Sequence, residues 1–299
     1  MTLSDNQRLK RELMLRSLFP SMPAAAHARF IEVLEDLDLA EGEYAFRAGE
    51  APDHFLFLVE GRVALEADGA PSLEFSGFAA VGVIDAVLDR PRLRACRALE
   101  ASKALVIRSA DWFDLLEDNA EVARAAIKNF ATRLHGLWQK LAPRVRRHSD
   151  PPRDVVPSAL STYDKILALR QASFLRRAGM QAIASLAAVS ETEALQTGQA
   201  LFEIGNAEDD FFVVTAGLIE LSDSAGFHFT HDAGDVVGGP AAFCNGLSNY
   251  AAVARAPATV LRIPQQEFYD QAEEHGRLLR GALAFLSLEL EGLQGLSLT

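Results

Sequence analysis

The stretch Leu39–Gly61, LAEGEYAFRAGEAPDHFLFLVEG, returns as Leu195–Gly217, LQTGQALFEIGNAEDDFFVVTAG, at a constant offset of 156 residues. The positions that match are mainly turn glycines and large apolar residues, which together determine how a backbone turns and packs. They are the pairs Gly42/Gly198, Gly49/Gly205, Gly61/Gly217, Phe46/Phe202 and Phe55/Phe211. The chain is therefore predicted to be a tandem duplication of one domain.

The length of the chain agrees with two domains. It has 299 residues, 49% of them hydrophobic, and about 150 residues is an ordinary size for a domain with its own core. Between the repeats, residues 143–158 read PRVRRHSDPPRDVVPS, a segment rich in proline and arginine that is predicted to be an extended linker. The predicted domains are residues 1–142 and 158–299, joined by a linker at 143–157.

Each half begins with helical spacing and then changes to a period of two. Residues 5–18 and 24–37 are predicted to be short helices, because their apolar residues recur every three or four positions. From Glu43 onward apolar residues alternate between glycine turns, as in short antiparallel strands. A helix is predicted from Asp111. The fold class is α+β: two tandem β-roll (jelly-roll) domains, each with short N-terminal helices and a long C-terminal helix.

Composition and motifs exclude several classes of function. The first twenty residues are rich in charge and no apolar run is long enough to span a membrane, so we expect a cytoplasmic protein. A net charge of −12 argues against non-specific binding to nucleic acid or anionic membranes. Cys96 and Cys244 do not occupy equivalent repeat positions, so no disulfide framework is expected. No nucleophile, P-loop or dinucleotide motif is present, so we expect no enzymatic activity.

The pair His228 and His231 raises the question of a metal site. Residues i and i+3 of a strand point to opposite faces, however, whereas two ligands to one ion would share a face. We therefore predict no metal site and no resident cofactor.

The two long helices carry a matching apolar seam. In residues 120–141 apolar side chains alternate at spacings of four and three, and the same spacing returns in the C-terminal helix, as in helices that pack against other helices. The predicted interface residues are Ile127, Phe130, Leu134 and Leu137, and Leu279, Leu283, Leu286, Leu290 and Leu293. Pairing within one chain and pairing between two chains are both open, as is packing of each helix on its own roll; the leucine-rich second seam favours a homodimer.

The order of elements and the turn glycines resemble the cyclic-nucleotide-binding domain, found in the catabolite activator family and in kinase regulatory subunits. The resemblance rests on Gly42–Phe46–Gly49 with Gly61–Val63–Leu65, and on the same pattern beginning at Gly198 and Gly217. It covers nearly the whole chain, twice. It implies a ligand site formed by a phosphate-binding segment, in which a glycine opens a short helix, an arginine pairs with the phosphate and a glutamate binds the ribose hydroxyl.

Both segments depart from this pattern. The first retains Gly82 and Arg92 but has Val83 where the resemblance implies the glutamate; Ile84, Asp85 and Arg94 complete the candidate ligand site. The second retains Gly238, but Gly239 replaces the glutamate and Ser248, followed by Asn249, replaces the arginine. Since a charge-assisted contact contributes about 1.5–3 kcal/mol, losing both removes on the order of 3–6 kcal/mol. Domain 2 is therefore not expected to bind a cyclic mononucleotide.

Two functions are favoured, ahead of a transcription regulator and, last, a cupin-type metalloenzyme that would use His228 and His231. The first is a non-enzymatic regulatory or scaffold protein that acts through protein–protein contacts, with an unidentified protein partner. The second is a sensor in which domain 1 binds a cyclic nucleotide or cyclic dinucleotide through Gly82 and Arg92. No helix-turn-helix segment follows either long helix, so direct DNA binding is not expected.

Overall fold

The computed structural model describes residues 5–20, 22, 24–141, 160–176, 178–224, 226 and 228–297. The predicted linker at 143–157 lies outside the described residues. The fold agrees with the predicted class: two β-roll domains, each made of two four-stranded antiparallel sheets with flanking helices.

The first domain begins with two helices, continues through the roll and ends in two more helices. Its elements are α1 (Asp5–Leu18), α2 (Ala24–Glu32), β1 (Glu35–Leu39), β2 (Tyr44–Phe46), β3 (His54–Glu60), β4 (Arg62–Ala67), β5 (Ala70–Ser76), β6 (Ala79–Val81), α3 (Val83–Leu88), β7 (Ala95–Ala98), β8 (Ser102–Arg108), α4 (Ser109–Asp118) and α5 (Ala120–Leu141).

The second domain repeats this order, with an additional 3₁₀ turn at Ser173–Leu175. Its other elements are α6 (Thr162–Gln171), α7 (Met180–Val189), β9 (Glu191–Leu195), β10 (Ala200–Phe202), β11 (Asp210–Ala216), β12 (Ile219–Ser222), β13 (His228–His231), β14 (Val236–Val237), α8 (Gly239–Cys244), β15 (Ala251–Ala254), β16 (Ala258–Pro264), α9 (Gln265–Glu274) and α10 (Gly276–Ser297).

The strand order is the same in the two domains. In the first, the sheets run β1-β8-β3-β6 and β2-β7-β4-β5; in the second they run β9-β16-β11-β14 and β10-β15-β12-β13. Even the irregularities are repeated, since the pairing of β3 with β8 shifts register between Leu58 and Glu60, and that of β11 with β16 shifts between Val214 and Ala216. The duplication thus extends to the register of the sheets.

The helix predicted over 24–37 is too long. Helix α2 ends at Glu32, and Glu35–Leu39 forms β1, paired with Val106 to Ser102 of β8. Leu37 and Leu39 alternate with Asp36 and Asp38, as in a strand. This alternation begins directly after the helical pattern, so the two patterns run together in the sequence. Pairing with β8 supplies the backbone hydrogen bonds that another helical turn would otherwise provide.

Equivalent positions fill the interior of the two rolls. In the first domain the buried cluster includes Leu39, Phe46, Leu58, Val63 and Val81, and in the second it includes Leu195, Phe202, Val214, Ile219 and Val237. Trp112 is buried within an aromatic group, and the centre of its ring lies 5.4 Å from that of Phe30. The apolar residues that match between the repeats therefore form the cores of the two rolls.

The seam residues are buried within a single chain. Ile127, Phe130, Leu134, Leu279, Leu283, Leu286 and Leu290 are buried, Leu137 is partly exposed, and the side chain of Leu293 lies outside the described residues. In α10, Gly281 allows close packing, because a Cβ there would collide with the backbone carbonyl of Phe174. Burial of this seam does not require a second chain, and the predicted homodimer stays a prediction.

The chain divides into compact units at Asn129/Phe130, earlier than the limit predicted at residue 142. The second half of α5 belongs to the second unit, where Nε2 of His135 lies 3.1 Å from Nδ2 of Asn249. The sequence repeat predicts domains at 1–142 and 158–299 with a linker at 143–157, whereas contacts between residues divide the chain at Asn129/Phe130. The predicted domain limits stay a prediction.

Glycine is required for two different reasons at the turns of the roll, which gives a matched test. Gly198 has φ +86° with open space around it, whereas Gly217 has φ +87° and a Cβ there would lie 2.5 Å from Cα of Ala258. Gly198→Ala should cost about 1 kcal/mol through backbone strain alone. Gly217→Ala should cost at least about 2 kcal/mol more, because backbone must move. Urea unfolding of both variants measures the difference, and equal losses would contradict the assigned close approach.

Candidate functional site

The first cassette, defined here as residues 82–94, has the backbone that the resemblance implies. Gly82 is the N-cap residue of α3 and has φ +82° and ψ 2°, a left-handed conformation that favours glycine. Val83 and Ile84 form the first turn of α3 and are partly exposed. The side chain of Val83 has no group that could hydrogen-bond a ribose hydroxyl.

Arg92 is directed into the protein, where its guanidinium group hydrogen-bonds backbone carbonyl oxygens of the same chain. Its side chain is 2% exposed. Nη1 donates to the carbonyl oxygen of Gly82 at 2.5 Å, Nη2 donates to the carbonyl oxygen of His54, and Cζ lies 4.2 Å from the centre of the Phe46 ring. Nε is buried without a hydrogen-bond partner. Arg92 therefore links the cassette to the start of β3.

Burial also determines the electrostatics of Arg92. Loss of water lowers the pKa of its guanidinium group, and the carboxylate of Asp85 acts in the opposite direction. No carboxylate within the described residues forms an ion pair with Arg92 at contact distance. A desolvated guanidinium held mainly by carbonyl oxygens is costly to bury and retains some attraction for an anion.

The other candidate residues of the first cassette make contacts within the protein. Oδ1 of Asp85 accepts from Nε of Arg90 at 2.9 Å, and its Oδ2 accepts from the backbone N–H of Leu93 at 3.4 Å. Nη1 of Arg94 donates to the carbonyl oxygen of Pro71 at 2.6 Å. Asp85 therefore closes the loop after α3, and Arg94 stabilises the hairpin of β4 and β5.

The second cassette, residues 238–250, has the same backbone and different side chains. Gly238 has φ +88° and caps α8, which begins at Gly239. Ser248, in place of the arginine, is buried, and its Oγ donates to the carbonyl oxygen of Tyr250 at 2.5 Å. Asn249 contacts His135 of α5. None of these side chains presents a positive charge to the cassette.

The charged group of the second cassette is Glu208, which the sequence analysis missed. Glu208 is 3% exposed, and neither carboxylate oxygen makes a well-aligned hydrogen bond within the described part of the chain, although the Ser248 hydroxyl lies near enough to lower its pKa. A Cβ built on Gly238 would lie 3.3 Å from its Oε2. Burial raises the pKa of Glu208 to about 7, and the neighbouring Ser248 hydroxyl limits the rise. The sign of the charge beside the cassette glycine is therefore reversed between the domains.

The reversal is seen by comparing equivalent glycines. Near the Cβ position of Gly82 lie Cζ of Phe46, at 2.8 Å, and the charged Nη1 of Arg92, at 2.9 Å; near that of Gly238 lie the carbonyl oxygen of Asp210, at 3.0 Å, and the carboxylate Oε2 of Glu208, at 3.3 Å. A signal for Glu208 was present in the sequence, since the repeat contains the acidic run Glu208–Asp210 where the first copy has Pro52, Asp53 and His54. Spacing alone did not indicate that its first carboxylate is buried.

The structure does not bring His228 and His231 together as metal ligands. Both lie on β13, paired with Ser222 and Ile219 of β12, and Nδ1 of His228 lies 3.4 Å from a carboxylate oxygen of Glu220. Within the described residues, no three His, Cys, Asp or Glu side chains form a group that could hold a metal ion. Cys96 and Cys244 are free thiols.

The buried carboxylate makes a prediction about stability and pH. The pKa of Glu208 is about 7 in the folded chain against 4.5 for an ordinary glutamate, so the folded state holds a proton that the unfolded state has lost between these values. Stability should fall as pH rises through this window, by about 3 kcal/mol in total. Glu208→Gln removes this loss, so the variant should be more stable than the parent near pH 8 and differ little near pH 5.

Urea unfolding at both pH values measures this difference. Glu203→Gln, which changes an exposed carboxylate in the preceding turn, is the matched control and should follow the parent at both pH values. A Glu208→Gln variant that is no more stable than the parent near pH 8 would contradict the assigned burial.

Comparisons with known proteins agree with this geometry. The family model for the cyclic nucleotide-binding domain matches residues 37–119 and 192–275, together more than half of the chain. No curated protein sequence matches significantly. Of the described residues, no helix is long and apolar enough to cross a membrane.

Similar solved structures include the regulatory domain of PKA from Toxoplasma gondii with cAMP, which is 16% identical, with 97% of this chain and 99% of that chain covered and a TM-score of 0.38. The regulatory subunit of a cAMP-independent protein kinase A from Trypanosoma cruzi, bound to guanosine, is 13% identical, with coverages of 93% and 87% and a TM-score of 0.37. A cyclic nucleotide-binding-like protein from Brucella abortus is 24% identical over 37% of this chain and 98% of that chain, with a TM-score of 0.33. On the evidence of the two family matches, the chain belongs to the cyclic nucleotide-binding domain family and contains two such domains in tandem.

Proposed function

We propose that this chain is a non-enzymatic regulatory or scaffold protein whose two domains act through contacts with other proteins and not through binding a cyclic mononucleotide. The observation that carries the proposal is the set of charged and hydrogen-bonding groups in the two cassettes. In the first, Arg92 is buried and bonded to the carbonyl oxygens of Gly82 and His54. In the second, Ser248 replaces the arginine and a buried carboxylate lies beside the cassette glycine.

Each difference acts against a cyclic phosphate. A phosphate entering the first cassette would have to draw Arg92 away from two carbonyl oxygens, leaving both unpaired. Val83 would leave a ribose hydroxyl without a partner, which rejects a ligand more strongly than a missing attraction does. In the second cassette, the phosphate and an ionised Glu208 would repel each other in a partly desolvated site.

A second candidate function is retained for domain 1. Gly82 keeps the left-handed N-cap conformation, and Arg92 is a buried cation whose Nε has no hydrogen-bond partner in the described chain. These features favour a sensor that binds an anionic ligand, a cyclic nucleotide or cyclic dinucleotide, through these two residues. Domain 2 would then be structural.

Calorimetry of the full chain with cAMP, cGMP and cyclic di-GMP separates the two candidates. We expect no saturable heat with any of them at millimolar concentration, because both cassettes lack the groups that would compensate a phosphate and a ribose. Saturable binding that Arg92→Ala removes would overturn the first candidate and establish the sensor. Binding that survives Arg92→Ala would place the ligand outside the arginine of the first cassette and contradict both candidates.

The predicted homodimer can also be tested through α10. Leu286 and Leu290 are buried within one chain, so charging them would unfold the protein whether or not it dimerises. Leu288 is 54% exposed on the same helix, and we propose that a dimer uses this exposed face. Leu288→Glu should halve the mass in light scattering and leave the melting temperature of the monomer nearly unchanged, whereas an unchanged mass in a stable variant would exclude this face.

A further inference from the structure

The second domain contains a cavity of about 350 Å³ beside its cassette. Phe202 and Phe212 line its apolar side, and Asn206, Glu208, Asp209 and Asp210 line its polar side. The cavity lies where β11 begins, next to the glycine that caps α8. It therefore occupies the part of the domain where the first copy presents an arginine.

Two carboxylates that line this cavity differ in their partners. Oδ2 of Asp210 accepts from Nε of Arg262 at 2.8 Å, so this carboxylate is paired. Glu208 is the buried carboxylate described above; among the described residues it has no cationic partner and no well-aligned hydrogen bond, and the Ser248 hydroxyl is its polar neighbour. A buried acceptor of this kind requires a donor, and a cationic donor contributes more than a neutral one because it also compensates the charge.

We propose that this cavity binds a guanidinium or primary ammonium group, with Glu208 as its direct partner and Phe202 and Phe212 packing against the adjoining apolar part. The proposal reverses the ligand chemistry of the cassette: the site accepts a cation where the resemblance implies a phosphate. The group can belong to a free small molecule or to an arginine or lysine side chain of a protein partner. The described carboxylates do not form a group that could hold a metal ion, so an organic cation is the class that fits.

The experiment compares a charged probe with its neutral isostere. Butylguanidine and butylurea have nearly the same shape and differ in charge, and both are titrated calorimetrically into the full chain near pH 8, where Glu208 is ionised. We expect butylguanidine to bind and butylurea not to. Glu208→Gln should weaken butylguanidine by about tenfold or more, the share of a charge-assisted contact, and Glu203→Gln should leave it unchanged.

Two further arms identify the source of the group and test a competing ligand. A capped tripeptide with a central arginine that binds at least as well as butylguanidine indicates a partner side chain, whereas exclusion of the tripeptide indicates a small molecule. Adenosine tests whether Glu208 instead accepts from the hydroxyls of a neutral sugar. The proposal is overturned if neither cationic probe binds, if either cation binds equally to Glu208→Gln, if butylurea binds as well as butylguanidine, or if adenosine alone binds through Glu208.

The folding of the test variant is not a concern, because Glu208→Gln removes a buried ionisable group and is expected to stabilise the domain. The proposal is also independent of the proposed function. Cyclic nucleotides could fail to bind while butylguanidine also fails, and either result can be obtained without the other.

Discussion

In each domain one ionisable side chain lies close to the glycine that opens the cassette. That glycine has a positive φ in both copies, and its missing Cβ leaves the space into which the charge fits. In domain 1 the space is taken by Arg92 and the ring of Phe46; in domain 2 Glu208 approaches it. An uncompensated buried charge is among the most costly features of a protein interior. The energy of each cassette therefore depends on the groups that surround its charged side chain.

The two domains deal with this charge in opposite ways. Arg92 is satisfied in large part from within, because two carbonyl oxygens and an aromatic face surround it. Glu208 has no cationic partner among the described residues, and burial raises its pKa against the opposing effect of the Ser248 hydroxyl. The cassette backbone is therefore similar in the two domains, while the side chains differ. Arg92 hydrogen-bonds carbonyl oxygens within domain 1, whereas Glu208 of domain 2 has no cationic partner among the described residues.

The parts of the fold that sequence could predict are those set by the backbone. Turn glycines and alternating apolar residues repeat at one offset, so the duplication and the two rolls could be predicted from Leu39–Gly61 and Leu195–Gly217. The positions of the two cassettes could be predicted from Gly82 and Gly238. Strand β1 was missed because Glu35–Leu39 follows directly on a helical pattern, and only its partner β8 shows that it is extended. Glu208 was missed for a related reason: burial is a property of the folded chain, and an acidic run is usually exposed.

The expected role of Arg92 shows the same limit from the other side. The residue stands at the position that the resemblance assigns to phosphate binding, yet its direction and its partners could not be read from spacing. A side chain at a ligand-binding position can bind a ligand or make contacts within the chain, and the distances to Gly82 and Phe46 show that Arg92 makes the latter. Identity at a motif position is therefore weaker evidence than the state of the hydrogen-bonding groups around it.

The second cassette also contacts helix α5. Within the second unit, His135 of α5 lies against Asn249, and a Cβ on Gly246 would lie 3.3 Å from Nε2 of His135. Backbone from the same loop holds Glu208, since the N–H of Glu208 donates to the carbonyl oxygen of Gly246 at 3.2 Å. Under the proposed cation binding, a group that pairs with Glu208 would act on a loop that contacts α5, and coupling would require that the loop have two arrangements with different affinities for that group. A buried carboxylate would supply the differential affinity, because its energy depends strongly on whether a cation is present.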